Sequence, residues 1–239
     1  MTLDARNFPD FQSLNQAVRE SNGDLTIKNC LGERFIGAGA GKRRITLNGV
    51  PGNALGCYLN GAHITVNGNA QDAVGDTMND GKIVIHGNVG DAVGYAMRGG
   101  EILVQGSAGY RAGIHMKAYM DKVPVVIIGN RAGSFLGEYQ AGGIIIVLGL
   151  DCDDSELIGY FCGTGMHGGK IFLRAKKIER ELPPQVKCEK ATQEDIKSIQ
   201  KYLKDYEKTF KRQIPDDGKE FFLLTPNSKN PYKKMYAPN

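Results

Sequence analysis

Several features that would assign this chain of 239 residues to a common protein class are missing. Its five cysteines are odd in number and far apart, and no two of them form a C-x-x-C pair. We interpret them as reduced thiols of a cytoplasmic protein, because paired cysteines mark oxidising compartments and metal centres. The sequence therefore does not predict an iron–sulfur or zinc site made by this chain alone.

Long apolar segments are missing as well. The longest apolar run, residues 142–150, is far shorter than the ~20 residues of a membrane-spanning helix. The N-terminal region contains Asp4 and Asp10 and lacks the apolar core of a secretory signal. We therefore expect a cytoplasmic protein without a membrane partner.

The net charge of +4 is unevenly distributed, since residues 1–169 are mildly acidic and residues 170–239 are basic. The lysines of the basic part alternate with acidic residues along a predicted helix. This alternation favours a solvated or protein-contacting face, and we expect no nucleic-acid partner.

A sequence repeat is the most informative feature that is present. The blocks ITLNGVPGNALG, ITVNGNAQDAVG, IVIHGNVGDAVG and ILVQGSAGYRAG begin at Ile45, Ile64, Ile83 and Ile102, a constant step of 19 residues. Each block opens with a strand-like segment and continues with glycines in fixed register, where the chain must turn. We assign structural roles to Gly49, Gly56, Gly68, Gly75, Gly81, Gly87, Gly94, Gly100, Gly106, Gly113 and Gly168.

Stacking one strand per block in parallel predicts an all-β solenoid. Left-handed β-helices repeat every six residues, and 19 is not a multiple of six, so we predict a right-handed parallel β-helix of roughly seven or eight coils. The predicted domains are an N-terminal helical cap at 1–23, the β-helix at 24–174, and a C-terminal helix with an extended arm at 175–239.

Two predicted helices flank the repeats. Asp10 is the expected N-cap of a short amphipathic helix that would cover the open end of the β-helix. Thr192 and Asp195 form a near capping box before the second helix. The apolar stripe of this helix either packs on the flank of the fold or docks on a partner, and it consists of Ile196, Ile199, Leu203, Tyr206 and Phe210.

Two glycine-rich segments match nucleotide-binding motifs only in part. The run at 37–41 precedes Lys42, but a phosphate loop needs G-K-[ST] and then a helix, whereas Arg43 and a strand follow here. The segment GTGMHG at 163–168 matches G-x-G-x-x-G, but a strand follows it in place of the helix that a dinucleotide site requires. Phosphate binding is disfavoured, and dinucleotide binding is rejected.

Asp72 and Asp91 lie one repeat apart and are expected to stack. Two stacked carboxylates form either a catalytic dyad or a cation site. The commoner arrangement is a pair of turn residues whose carboxylates accept backbone N–H groups.

Arg111, His115, Lys117 and Tyr119 form the densest group of functional side chains in the repeats, beside an insertion at 117–123. Loops that leave a stack of repeats usually carry its contacts. We predict that these four residues face a partner, and a small anion or solvent alone are the alternatives.

Four segments together resemble a known family: IKNCLGERFIGAGAG (27–41), GNAQDAVGDTMNDGKIVIHGNVGDAVGYAMRGG (68–100), GYRAGIHMKAYMDKVPVVIIG (109–129) and GTGMHGG (163–169). They are similar to the C-terminal GXGXG domain of the glutamate synthase large subunit, over about residues 3–212. The chain resembles a stand-alone form of this domain, as in split, archaeal-type glutamate synthases. The same domain is similar to one of the subunits of formylmethanofuran dehydrogenase and to subunits of N-methylglutamate synthase-type complexes.

The resemblance implies a scaffold subunit of a multi-subunit glutamate synthase, a complex of glutamate biosynthesis and nitrogen metabolism. This subunit would hold a class II glutaminase subunit and an FMN-binding synthase subunit together. It implies no catalytic, cofactor-binding or metal-binding residue in this chain, with FMN and an iron–sulfur cluster in the partner subunits. Thr2 follows Met1, so the cysteine nucleophile of a glutaminase is not expected here.

Alternatives to this hypothesis stay open. The same scaffold would suit a formylmethanofuran dehydrogenase or an N-methylglutamate synthase-type complex. A protein of a different class, a self-sufficient ligand-binding or hydrolytic β-helix, would use Asp72 and Asp91. The sequence leaves undecided the amine product, the oligomeric state, including a homo-oligomer, the face that meets each partner and the role of the arm at 213–239.

Overall fold

The computed structural model describes residues 1–227, which form an 11-stranded sheet and two α-helices. The helices are α1 (Phe11–Glu20) and α2 (Gln193–Phe210), and short 3-10 turns lie at Ala5–Asn7 and Asp154–Glu156. The strands are β1 (Thr2–Asp4), β2 (Leu25–Leu31), β3 (Arg44–Val50), β4 (Asn60–Asn67), β5 (Asp80–Ile85), β6 (Glu101–Val104), β7 (Val125–Ile128), β8 (Ala141–Val147), β9 (Gly168–Ala175), β10 (Val186–Lys190) and β11 (Glu220–Pro226).

All of these strands belong to one sheet, in the order β1-β2-β3-β4-β5-β6-β7-β8-β9-β11-β10. Neighbours from β1 to β9 pair in parallel, and each strand lies beside the next one in the chain. β11 runs antiparallel to both β9 and β10. The sheet is therefore mixed, parallel over most of its width and antiparallel at its C-terminal edge.

The inner face of the sheet lines the main hydrophobic core. Ile45, Ile64 and Ile83 occupy the same register position on β3, β4 and β5, and all three are buried. The spacing of the sequence blocks thus becomes the pairing register of these strands. Leu14 and Val18 of α1 pack into the same core, which fixes this helix beside the first strands.

The connections between strands are turns that are tied to one another by backbone hydrogen bonds. Gly75 N–H, for example, donates to Leu55 O of the preceding connection at 2.8 Å. Gly75 has φ 69°, and a Cβ there would lie 2.4 Å from Ile102 Cδ1, so this turn requires glycine. Outside the strands the connections add only isolated bridges, such as the one between Ala70 and Val89.

The predicted fold class, a right-handed parallel β-helix of seven or eight coils, is wrong. The strands form a single mixed sheet with two helices, an α/β layout, and the described connections supply isolated bridges in place of the further strands that each coil requires. The 19-residue spacing predicted parallel pairing of successive strands, which a mostly parallel sheet shares with a β-helix. It carried no information on β10, β11 and α2, which extend and cover the sheet.

Both predicted helix starts are confirmed. At the start of α1, Asp10 Oδ1 accepts a hydrogen bond from Ser13 N–H at 2.8 Å. At the start of α2, Thr192 and Asp195 form a capping box, in which each side chain accepts from the backbone N–H of the other. Within the described part of the chain, neither helix is long and apolar enough to cross a membrane.

The second helix covers the outer face of the sheet from β5 to β9. Its apolar stripe packs on outward residues of these strands, among them Leu103, Ile127 and Phe172. Tyr206 is fully buried there, and its hydroxyl donates to Gln105 O at 3.2 Å. Of the two alternatives for the stripe, packing on the fold is therefore the correct one.

Part of the predicted C-terminal arm is a strand of the sheet. Residues 220–226 form β11 between β9 and β10, and Leu224 is fully buried. Residues 228–239 of the predicted arm lie outside the described residues. The division of the chain into domains at 1–23, 24–174 and 175–239 stays a prediction.

Candidate partner interface

Turns in the second half of the sheet hold large side chains at the surface in a strained backbone conformation. Arg111 (φ 59°) lies two residues before Gly113, and His115 (φ 55°) lies two residues after it. One connection later, the equivalent residues are Phe135 (φ 63°) and Tyr139 (φ 53°). A side chain in this left-handed region costs about 1 kcal/mol or more, so the hydrogen-bonded turns on either side must enforce it.

Three aromatic rings form a row along the positions that follow the turn glycines. The rings of His115 and Tyr139 are stacked, with centroids 5.2 Å apart and an interplanar angle of 10°. Tyr95 meets His115 edge-on, with centroids 5.9 Å apart. The row crosses three successive connections, and its geometry is that of favourable aromatic pairs.

A second row runs along the positions that precede the turn glycines. The guanidinium of Arg111 lies 5.1 Å from the centroid of the Phe135 ring, and Phe135 stacks on Phe161 at 5.0 Å. Arg111 Nε also donates to Glu138 Oε2 at 3.1 Å. Glu138 precedes Tyr139 in the chain, so this ion pair joins the two rows.

The second row continues to the segment that follows β9. Tyr160 lies beside Phe161, and the guanidinium of Arg180 sits 4.6 Å above the Tyr160 ring and donates to its hydroxyl at 3.2 Å. Leu182 and Pro183 close a hollow of about 350 Å³ against Tyr160 and Phe161. The two rows together form one surface, which we call the aromatic ridge. It consists of Tyr95, Arg111, His115, Phe135, Tyr139, Tyr160 and Phe161.

The aromatic ridge has the composition of a protein-binding surface. The side chains of Tyr95, Tyr139, Tyr160 and Phe161 are between 36% and 58% exposed. Tyrosine and arginine are enriched among the residues that dominate binding energy at interfaces, because they bury much area and lose little conformational freedom. Apolar patches exposed in this way mark sites of association.

The four residues predicted to face a partner do not form one group. Arg111 and His115 belong to the aromatic ridge, while Lys117 and Tyr119 lie on the loop before β7. Tyr119 exchanges backbone hydrogen bonds of 3.1 Å with Lys122 and lines a separate hollow of about 260 Å³. All four side chains are exposed, and their contact with a partner stays a prediction.

Most of the aromatic ridge was not predicted from the sequence. Tyr95 and Tyr160 were not predicted, since neither lies two residues from its turn glycine. Phe135, Tyr139 and Phe161 were not predicted, because insertions after Gly113 interrupt the 19-residue spacing and hide their equivalence. The signal that would have found them is the position relative to the turn glycine. Aligned on that glycine, Arg111 matches Phe135 and Phe161, and His115 matches Tyr139.

The stacked carboxylates act as turn residues. Asp72 Oδ1 accepts from Asp91 N–H, and Asp91 Oδ1 accepts from Tyr110 N–H, both at 2.8 Å. Each carboxylate therefore caps the backbone of the next connection. Among residues 1–227, no group of three or more His, Cys, Asp or Glu side chains is arranged to hold a metal ion.

The cysteines are all free thiols, as predicted. Burial raises the pKa of Cys30 to about 12, and it does the same for Cys162. Both therefore stay protonated at neutral pH, and a thiol in this state is a poor nucleophile and a poor metal ligand.

Comparison with known proteins identifies the family. The model of the GXGXG motif family matches residues 16–221, and the chain belongs to this family. An uncharacterized protein of Methanocaldococcus jannaschii is 43% identical to it over 256 aligned positions, which cover 100% of this chain and 97% of that protein. The similarity therefore extends beyond the matched motif region to both ends of the chain.

Proposed function

We propose that this chain is the structural subunit of a multi-subunit glutamate synthase and has no active site of its own. It binds a glutaminase subunit and an FMN-binding synthase subunit, and FMN and an iron–sulfur cluster belong to the partners. The observation that carries this proposal is the aromatic ridge on a member of the GXGXG motif family. Family membership supports a glutamate-synthase-like role, and the ridge supports a role in binding.

The sheet supports the role of a spacer between two active sites. Successive strands pair in parallel from β1 to β9, and hydrogen bonds tie each connection to its neighbours. Such a body keeps bound partners at a fixed separation. Ammonia released by a glutaminase can then reach a synthase site without escaping, which is the physical reason for a rigid subunit between them.

The proposal is tested by affinity purification of the tagged chain from its native cells, with an absorbance spectrum and mass identification of the proteins that accompany it. We expect a yellow complex that contains a glutaminase-like and a flavin-binding protein. A complex that contains molybdenum or tungsten would assign the chain to a formylmethanofuran dehydrogenase instead, and methylamine-dependent turnover to an N-methylglutamate synthase-type complex. A colourless, solitary protein would contradict the proposal.

A matched pair of variants tests the aromatic ridge itself. Tyr139 and Tyr58 occupy equivalent turn positions, with φ 53° and 56°, and both are exposed, but only Tyr139 stacks on His115. Ala96 occupies the same position elsewhere, so the turn accepts alanine. We expect Tyr139→Ala to weaken complex formation by at least about tenfold and Tyr58→Ala to leave it unchanged.

Equal binding by the two variants would remove the aromatic ridge from the proposal while leaving the scaffold role standing. The purified chain alone is expected to show no glutaminase or oxidoreductase activity. Turnover of glutamine by the pure chain would overturn the scaffold role.

A further inference from the structure

A hollow lies where α1 meets the glycine run at 37–41, far along the sheet from the aromatic ridge. It has a volume of about 260 Å³ and is lined by both segments. Arg19 and Arg43 are the charged residues in its wall, and none of the described residues that line it is acidic. The hollow is therefore positively charged and small, which favours a small anionic group as its occupant.

Two columns of backbone N–H groups run through the connections and end at this hollow. In the first column, Gly56 N–H donates to Ile36 O at 2.8 Å. In the second column, Asn60 N–H donates to Ala40 O at 2.9 Å. The equivalent N–H groups of later connections donate to the preceding connection in the same way. Each N–H group of a column therefore finds its acceptor on the turn of the connection before it.

Gly37 and Gly41 begin these two columns, because the connection that precedes theirs, between β1 and β2, contains α1 in place of a turn of this kind. Within residues 1–227, neither N–H group has a hydrogen-bond acceptor, although Gly37 is buried. Buried backbone donors are almost always satisfied by protein, water or a ligand. Both glycines line the hollow, so an oxygen atom bound there would supply the missing acceptors.

The arginines supply charge beside these donors. Arg43 Nη1 donates to Val18 O at 3.0 Å and to Ser21 O at 3.1 Å, which fixes its guanidinium against the end of α1. Arg43 Nε is buried and has no acceptor among the described residues. Arg19 is exposed, and its Nη2 donates to Gln16 Oε1 at 2.9 Å. Arg19 is thus free to turn one face of its guanidinium toward a bound anion.

Glycine at position 41 is not explained by the packing of the chain. A Cβ at Gly41 would meet no atom within 4 Å, and Gly41 is not among the residues with positive φ. Neither backbone strain nor close packing therefore requires glycine here. The missing side chain keeps the wall of the hollow open and leaves its N–H group accessible.

We propose that this hollow binds a small oxyanion, the phosphate or carboxylate group of a small molecule, between α1 and residues 37–41. The oxygen atoms accept from the N–H groups of Gly37 and Gly41, and Arg19 adds a charge-assisted hydrogen bond. These donors come from the first members of the hydrogen-bonded columns, so the site does not require the G-K-[ST] motif. The site is independent of the role in complex formation.

Nuclear magnetic resonance of the full chain tests the proposal directly. Inorganic phosphate and, in a separate titration, acetate are added at constant ionic strength while the amide resonances are recorded. We expect saturable shifts for Gly37 and Gly41 and no shifts for Gly56 and Asn60, whose N–H groups are already bonded. Saturation by phosphate alone assigns a phosphate group, and saturation by acetate assigns a carboxylate. No saturable shift with either anion overturns the proposal.

A pair of arginine variants provides the second test. Arg19→Gln removes the charge at the hollow, and we expect anion binding to weaken about tenfold, the typical effect of one charge-assisted hydrogen bond. Arg98→Gln is the matched control, because Arg98 is also exposed but lines a different hollow. Equal affinity of the two variants for the anion would show that binding does not occur at this site.

Discussion

The outer face of the sheet has two halves that differ in what covers them. In one register position, β2, β3 and β4 carry Thr26, Thr46 and Thr65, which stay partly exposed. In the same register, β5 and β6 carry Val84 and Leu103, which are buried beneath α2. The strands of the first half alternate apolar and polar residues, while those of the second half are apolar on both faces. The pattern along a strand thus reports whether its outer face is covered.

Ion pairs hold α2 at the boundary between the two halves and farther along the sheet. Lys82 of β5 pairs with Asp205 of α2 and lies 3.7 Å from Glu101 of β6. Lys170 of β9 pairs with Asp195 at 3.2 Å. These pairs are partly exposed and contribute little energy individually, so the position of α2 depends chiefly on its buried aromatic residues.

Truncation of Tyr206, the large buried side chain of α2, is expected to reduce the free energy of unfolding more than any other change proposed here. Tyr206→Ala should lower the free energy of unfolding by about 3–5 kcal/mol, because it leaves a cavity and an unpaired carbonyl at Gln105. Urea denaturation measures the change. Thr46→Ala on the uncovered half should stay within about 0.5 kcal/mol of the original protein. Similar losses for the two variants would show that the halves do not differ in packing.

Exchanging valine and threonine at the boundary between the uncovered and the covered half of the sheet compares the two halves most directly. Thr65 and Val84 are register partners on adjacent strands. Val84→Thr should destabilise by about 1–3 kcal/mol, since a hydroxyl is then buried under α2 without a partner. Thr65→Val should be nearly neutral, within about 0.5 kcal/mol, because that position remains half-exposed. Thermal or urea unfolding of the pair decides the matter, and equal effects would contradict the assignment of a cover to one half alone.

Removal of the N-cap of α2 is expected to lower the free energy of unfolding by a smaller amount. Thr192→Ala removes the hydroxyl that accepts from Asp195 N–H at 3.2 Å and should cost about 1 kcal/mol of unfolding free energy. Gln193→Ala, one residue later and equally exposed, serves as the control and should change little. If the two substitutions destabilise equally, the loss does not come from the cap.

The smallest expected effect on stability is that of the ion pair between Arg212 and Asp151, and it depends on pH. Arg212 forms two hydrogen bonds to Asp151, at 2.6 and 2.7 Å, and they lower the pKa of that carboxyl below its ordinary value. A lowered folded-state pKa means that the pair stabilises the fold above about pH 4 and that this contribution is lost as pH falls through the folded-state pKa.

Melting temperatures of the original protein and Asp151→Asn measure this contribution. The difference between them should be small at neutral pH, equivalent to less than about 1 kcal/mol of unfolding free energy for so exposed a pair, and should shrink toward zero in acid. A difference that stays constant with pH would show that Asp151 acts through packing and not through its charge.

The strand pairing was the most predictable part of the fold. The step from Ile45 to Ile64 to Ile83 became the register of adjacent parallel strands, because side-chain alternation leaves one way to bury the isoleucines on a single face. The two helix caps were equally readable, since they depend on residues three positions apart. The fold class could not be predicted in this way, because the same spacing suits both a β-helix and a mostly parallel mixed sheet.

The candidate interface was predicted only in part. Arg111 and His115 were found because they cluster in sequence with other polar residues. Phe135, Tyr139 and Phe161 were not found, because insertions of unequal length separate them from the earlier blocks. Their contact depends on turn stacking, which aligns the glycines in space although they are no longer evenly spaced in the chain.

Four features could be read from the sequence alone: the parallel register, the turns that require glycine, the two helix starts and membership of the family. These features follow from interactions between residues that are close in the chain or repeat within it. The tertiary structure was needed to show where α2 lies and that β11 enters between β9 and β10. It also shows that the N–H groups of Gly37 and Gly41 have no acceptor among the described residues. The physical reason is distance along the chain: Tyr206 bonds Gln105 across a separation of 101 residues, and no local pattern specifies such a contact.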